Sequence, residues 1–126
     1  MNFHLLADAQ EVDLERAMED FDGNLGAVAQ LLHEFLADRS GCELKLTAIE
    51  RLSSEQVAAV MHDVANTLDA GWCRSAALAV RSREERLRRD AGCNVRDAMA
   101  EVRSIVDKAF HAVEAVVRDG RAGSLA

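Results

Sequence analysis

The stretch Val57–Gly71, VAAVMHDVANTLDAG, sets one imidazole among small and apolar side chains. Laid on a helix, Val57, Val60, Met61, Val64 and Leu68 gather on one face, the face to be buried. At about 100° per residue, His62 points roughly 140° away from Val57, in the company of Glu55, Asn66 and Asp69. It is expected at the rim or in solvent. Its neighbours one turn up and down are Ala58, Ala59, Ala65 and Asn66, and nothing large shields the ring. A neutral imidazole is a good nucleophile near neutral pH, and one in a clearing of small side chains is approachable by another protein's surface. The bland alternative is a surface histidine with no task.

The remaining candidates for chemistry are weaker. His33 sits beside the apolar stripe of its helix, His111 lies opposite the stripe of the last helix, and His4 is in the leader. With no carboxylate or second histidine at ligand spacing beside any of them, no metal site is expected. Cys42, Cys73 and Cys93 are odd in number, far apart and without a C-x-x-C spacing, so they read as reduced thiols in core or helix-flank positions. Trp72, just past Gly71, reads as a packing anchor at a bundle end. The run RSREERLRR, from Arg81 to Arg89, interleaves glutamates and lacks aromatics, which fits a solvated, salt-bridged helix face better than a nucleic-acid surface. Neither a Walker loop nor a G-x-G-x-x-G segment occurs, so no means of binding ATP is expected.

The elements that must position His62 follow from composition and periodicity. The chain has 126 residues, no proline and no tyrosine, and is dominated by good helix formers, which favours a single all-helical domain. A formal net charge of -7 repels nucleic acid and anionic membrane on balance. No run approaches the roughly 18 apolar residues of a membrane span, and the start lacks the layout of a signal peptide, so a cytoplasmic location is expected.

Helix signals recur along the chain. Residues 1–11 form a leader helix or arm, and a first clear helix starts near Val12 or Asp13 and ends in FDGN, where Gly23 and Asn24 can take a left-handed cap. A second runs from Leu25 to about Asp38, with Leu25, Val28, Leu31, Leu32, Phe35 and Leu36 in one stripe, and DRSG breaks it. A short third segment spans CELKLTAIERL. Ser53 and Gln56 then form a capping box for a helix over Ser54–Ala70, stopped at Gly71. Another helix reaches about Asp90, AGCN turns, and Asn94 with Asp97 caps the last and longest helix. Met99, Val102, Ile105, Val106, Ala109, Val113, Val116 and Val117 share one side of it, and residues 119–126 are a tail. Short connections between consecutive amphipathic helices predict an all-α, up-and-down four-helix bundle with additional short N-terminal helical structure, its core over about residues 12–118.

The stretch from about Val12 to Val117 resembles a histidine phosphotransfer (HPt) domain of bacterial two-component phosphorelays. The likeness rests on a helix ending in a Gly/Asn turn, then an LLxxFLxD helix matched by Leu31, Leu32, Phe35, Leu36 and Asp38. A short helix follows, then the helix bearing His62 about two dozen residues later, a small-residue turn and two long helices. The resemblance implies that His62 is the phospho-acceptor. A ring nitrogen, Nε2, would take a phosphoryl group from a receiver-domain aspartate and give it to another receiver, the Mg2+ belonging to the receiver. This chain would be a carrier without a cofactor of its own, with response-regulator receivers and a hybrid sensor kinase as partners.

The family commonly reads A-H-x-L-K-G; here the run is Met61-His62-Asp63-Val64-Ala65-Asn66. Ala65 leaves the lysine's role vacant and Asn66 modestly crowds the glycine's, although Asn66 can donate a hydrogen bond to a phosphoryl oxygen. Asp63 and Asp69 add negative charge near a site that becomes dianionic. The surface expected to support transfer comprises Ala58, Ala59, Ala65, Asn66, Asp69 and Arg74, with Arg74 compensating the charge; otherwise the domain is an HPt-like docking module that regulates a receiver or kinase without taking phosphate.

Overall fold

Apolar residues at three- and four-residue steps, with no proline to interrupt them, leave helix as the only regular structure: the computed structural model describes residues 11–47, 53–90, 92 and 94–118, and among these there is no strand. Residues 1–10, the segment 48–52, Ala91, Cys93 and the tail lie outside the described residues, and with them all of the leader but Glu11 and part of the third predicted segment.

Side-chain caps fix most helix starts. Asp13 accepts from the Arg16 N–H at 3.0 Å ahead of α1 (Leu14–Asp20), and Asn24 accepts from the Ala27 N–H at 3.1 Å ahead of α2 (Leu25–Ala37). After α3 (Arg39–Thr47), the expected capping box opens α4 (Ser54–Ala70): the Gln56 N–H donates to Ser53 Oγ at 3.2 Å and the Ser53 N–H donates to Gln56 Oε1 at 2.9 Å. Following α5 (Arg74–Arg89), which has no side-chain cap, Asn94 accepts from the Asp97 N–H at 3.2 Å to start α6 (Val95–Arg118).

Two boundaries differ from expectation, and a third falls where expected. The break across DRSG is confined to Asp38, and Arg39, Ser40 and Gly41 already belong to α3. Cys42 and Leu46, one turn apart, are buried at 4% and 3% exposure, and that burial offsets the helix cost of Gly41. Between α1 and α2 the left-handed residues are Asp22 and Gly23, at φ 50° and 79°, while Asn24 stays extended as the cap. At the third, Gly71 does end α4, but with φ -96°; the left-handed residue is Trp72, at φ 57°. Glycine is needed at 71 for space, since a Cβ there would lie 2.6 Å from Phe35 Cδ2.

The α4–α5 hairpin has the most extensive interface in the fold. Ala58, Ala65, Ala76 and Ala77 of the pair are buried, and small side chains let two helices approach closely. α6 packs against α2, α3, α4 and α5, and its Val102, Val106, Ala109, Phe110, Val113 and Val116 share a core with Val57, Met61, Val64 and Leu68 of α4 and Val28, Leu32 and Phe35 of α2. Val60, Ile105 and Val117 pack against this core while partly exposed. The Phe35 and Phe110 rings stack with centroids 4.5 Å apart.

Trp72 is the anchor at one end. The Asp13 N–H donates to the Trp72 carbonyl at 2.9 Å, the indole N–H donates to Asp20 Oδ2 at 3.0 Å, and Phe21 meets the indole edge-on at 5.8 Å. These contacts fasten α1 to the α4–α5 turn. Cys42 and Cys73 are buried free thiols. Burial, with Glu11 and Asp69 adding to it, pushes the Cys73 thiol up to about 12. Among the described residues, no helix is long and apolar enough to cross a membrane.

Candidate functional site

Because α5 runs antiparallel to α4, the fold sets His62 level with Glu84 across the hairpin. His62 Nδ1 lies 3.4 Å from Glu84 Oε2, with the imidazole 56% exposed and the glutamate only 12% exposed. The same Glu84 oxygen is 3.0 Å from Arg88 Nε. One turn along α4, Arg81 Nη2 donates to Asn66 Oδ1 at 3.1 Å and to Asp69 Oδ2 at 2.5 Å. Positions 62, 66 and 69 lie on one face of α4, and 81, 84 and 88 on the facing side of α5, each set at helical spacing. Together they form a polar seam with His62 at its centre.

The seam gives the imidazole a defined chemistry. A carboxylate facing Nδ1 favours the proton on that nitrogen, which leaves the Nε2 lone pair free. Glu84 is itself held by Arg88, so the carboxylate beside the ring is nearly buried and fixed.

The expected site residues divide. Ala59 is exposed beside His62, as the clearing requires. Ala58 and Ala65 are at 0% exposure, so neither contributes to a partner-facing surface. They sit about 40° to 60° around α4 from His62, towards its buried face. Asn66 and Asp69 are exposed, yet both are engaged by Arg81. Arg74, the cation expected to compensate the charge, does not reach the seam. It opens α5 at the Gly71 end, ten residues before Glu84, which is roughly 15 Å of helix from the level of His62. There it lines an open groove with Asp13, Arg16, Asp20, Asp69 and Trp72. The cations that do reach the seam are Arg81 and Arg88.

Arg81, Glu84 and Arg88 belong to the run read from sequence as a solvated face, and they were legible in principle. Their three- and four-residue steps match those of His62, Asn66 and Asp69, and folding the helices back about Gly71–Trp72 superposes the two sets. His33 and His111 are exposed on α2 and α6. Among the described residues no group of three or more His, Cys, Asp or Glu could hold a metal ion. No family model, curated protein or solved structure matches the chain.

Proposed function

We propose that the protein is a phosphoryl carrier of a phosphorelay, built as an up-and-down bundle of α2, α4, α5 and α6, that accepts a phosphoryl group on His62 Nε2. The observation that carries this reading is the Glu84 carboxylate 3.4 Å from Nδ1 of an exposed mid-helix imidazole. In the step, the Nε2 lone pair attacks the phosphorus of a receiver's aspartyl phosphate. The new N–P bond forms as the P–O bond breaks, and the aspartate carboxylate leaves with the electron pair. Nδ1 keeps its proton, so the ring becomes a phosphorylated imidazolium whose positive charge develops against Glu84. Mg2+ belongs to the receiver, and the carrier works in the cytoplasm between response-regulator receivers and a hybrid sensor kinase.

A second reading, a docking module that takes no phosphate, is favoured by the burial of Ala65: no side chain from that position can reach a phosphoryl oxygen. Phosphotransfer from a panel of radiolabelled phospho-receivers to the wild type and to His62→Gln separates the two. Base-stable, acid-labile label on the wild type alone is expected. A receiver that binds without labelling overturns the carrier in favour of the docking module.

A further inference from the structure

Asn66 stands one helical turn beyond His62 on the same exposed face, the spacing at which side chains on a helix surface are neighbours. An asparagine amide can present either its oxygen or its NH2, and only the NH2 helps hold an anion. Here the choice is made by Arg81. A guanidinium has donors and no acceptor, so its 3.1 Å contact with Asn66 Oδ1 commits the oxygen and leaves the NH2 as the free end. The two hydrogens of Nη2 are shared between Asn66 Oδ1 and Asp69 Oδ2, which also sets a positive charge beside the carboxylate that would otherwise oppose a dianion.

From this geometry we infer that Arg81 is a positioning residue for phosphoryl transfer: it holds Asn66 so that the amide NH2 donates to a phosphoryl oxygen on His62, and it neutralises Asp69. The inference rests on the carrier reading and adds to it the group that steadies the phosphoryl oxygens in a chain whose Ala65 cannot. Arg81 and Asn66 thus act as a unit. Loss of either removes the same interaction.

The test uses phosphoramidate, which needs no partner protein: its P–N bond breaks, ammonia leaves, and the N–P bond to His62 forms. Rates are read by 31P NMR in about 0.5 M salt, where the exposed charge of Asp69 is screened. Asn66→Ala is expected to accept phosphate roughly tenfold more slowly than wild type, the scale of one hydrogen bond to a charged group. Arg81→Ala should be slowed several-fold and Arg81→Lys, which keeps a charged donor, should recover most of the loss. The double variant Asn66→Ala/Arg81→Ala should be no slower than Asn66→Ala alone, a result that a general structural role for Arg81 does not give. Far-UV circular dichroism checks that all variants fold. Labelled wild type with unchanged rates in the variants, or additive losses in the double variant, overturns the inference and leaves the carrier standing. A wild type that neither phosphoramidate nor any receiver labels overturns both.

Discussion

Replacing Gly71 by alanine destabilises the protein, although the backbone there suits alanine. At φ -96° the residue lies in ordinary space for an L-amino acid, so the substitution by itself would gain about 0.4–1 kcal/mol from a less flexible unfolded chain. The added methyl reverses the sign. It would stand 2.6, 2.7 and 2.8 Å from three atoms of the Phe35 ring, and that ring has little freedom to move because it is already stacked on Phe110 with centroids 4.5 Å apart. Overpacking of this kind costs about 1–3 kcal/mol, which leaves a net loss of about 1–2 kcal/mol. For a chain of this size that lowers the Tm by roughly 4–8 °C. Urea and thermal unfolding followed by far-UV circular dichroism measure it. Combining Gly71→Ala with Phe35→Leu, which opens the space, should give a loss smaller than the sum of the two single losses by at least about 0.5 kcal/mol. A Gly71→Ala protein as stable as wild type, or more so, would refute the close approach as the reason for glycine. It would return Gly71 to the role of a simple helix stop.

Two further outcomes follow from the core. The Cys73 thiol, pushed by burial up to about 12 from its ordinary value of 9.0, stabilises the fold fully below pH 9. As pH rises from 9 towards 12 the unfolded chain loses that proton first, so stability should fall by up to about 1.4 kcal/mol per pH unit. Cys73→Ala should flatten that slope in urea titrations, and with no tyrosine in the chain no phenol titrates in the same window. Arg39 lies 3.2, 3.6 and 3.5 Å from Glu43, Asp107 and Glu114, and 5.9 Å from the centre of the Phe110 ring, tying α3 to α6. Arg39→Ala should cost about 1–2 kcal/mol, less at high salt, with Arg39→Lys recovering only part because it lacks the planar fork.

The helices were legible where a local rule decided them. Ser53 and Gln56 announce the start of α4, and Asn24 and Asn94 cap α2 and α6 through contacts confined to one turn. Gly41 misled because a glycine reads as a break, whereas the burial of Cys42 and Leu46 against the rest of the fold keeps the helix running. The site divides in the same way. The exposure of His62 follows from its angle on α4 alone, but a wheel describes one helix by itself and has no term for the rest of the fold that buries Ala58 and Ala65. Glu84 and Arg81 stand at helical steps that match those of His62 and Asn66, but pairing them needed the register of a second helix folded back across the Gly71 turn.

Trp72 gives the molecule an optical handle. It is the sole tryptophan, and with no tyrosine present the near-ultraviolet emission of the whole protein comes from one indole. That indole is 9% exposed, edge-on to Phe21 and hydrogen-bonded to Asp20, so its emission maximum and its quenching by acrylamide depend on whether α1 stays seated. A release of α1 with the other helices intact would redden the emission and leave the far-UV spectrum nearly unchanged. The fluorescence therefore reports on local undocking at the Asp20–Trp72 contact, and the circular dichroism on the helices as a whole.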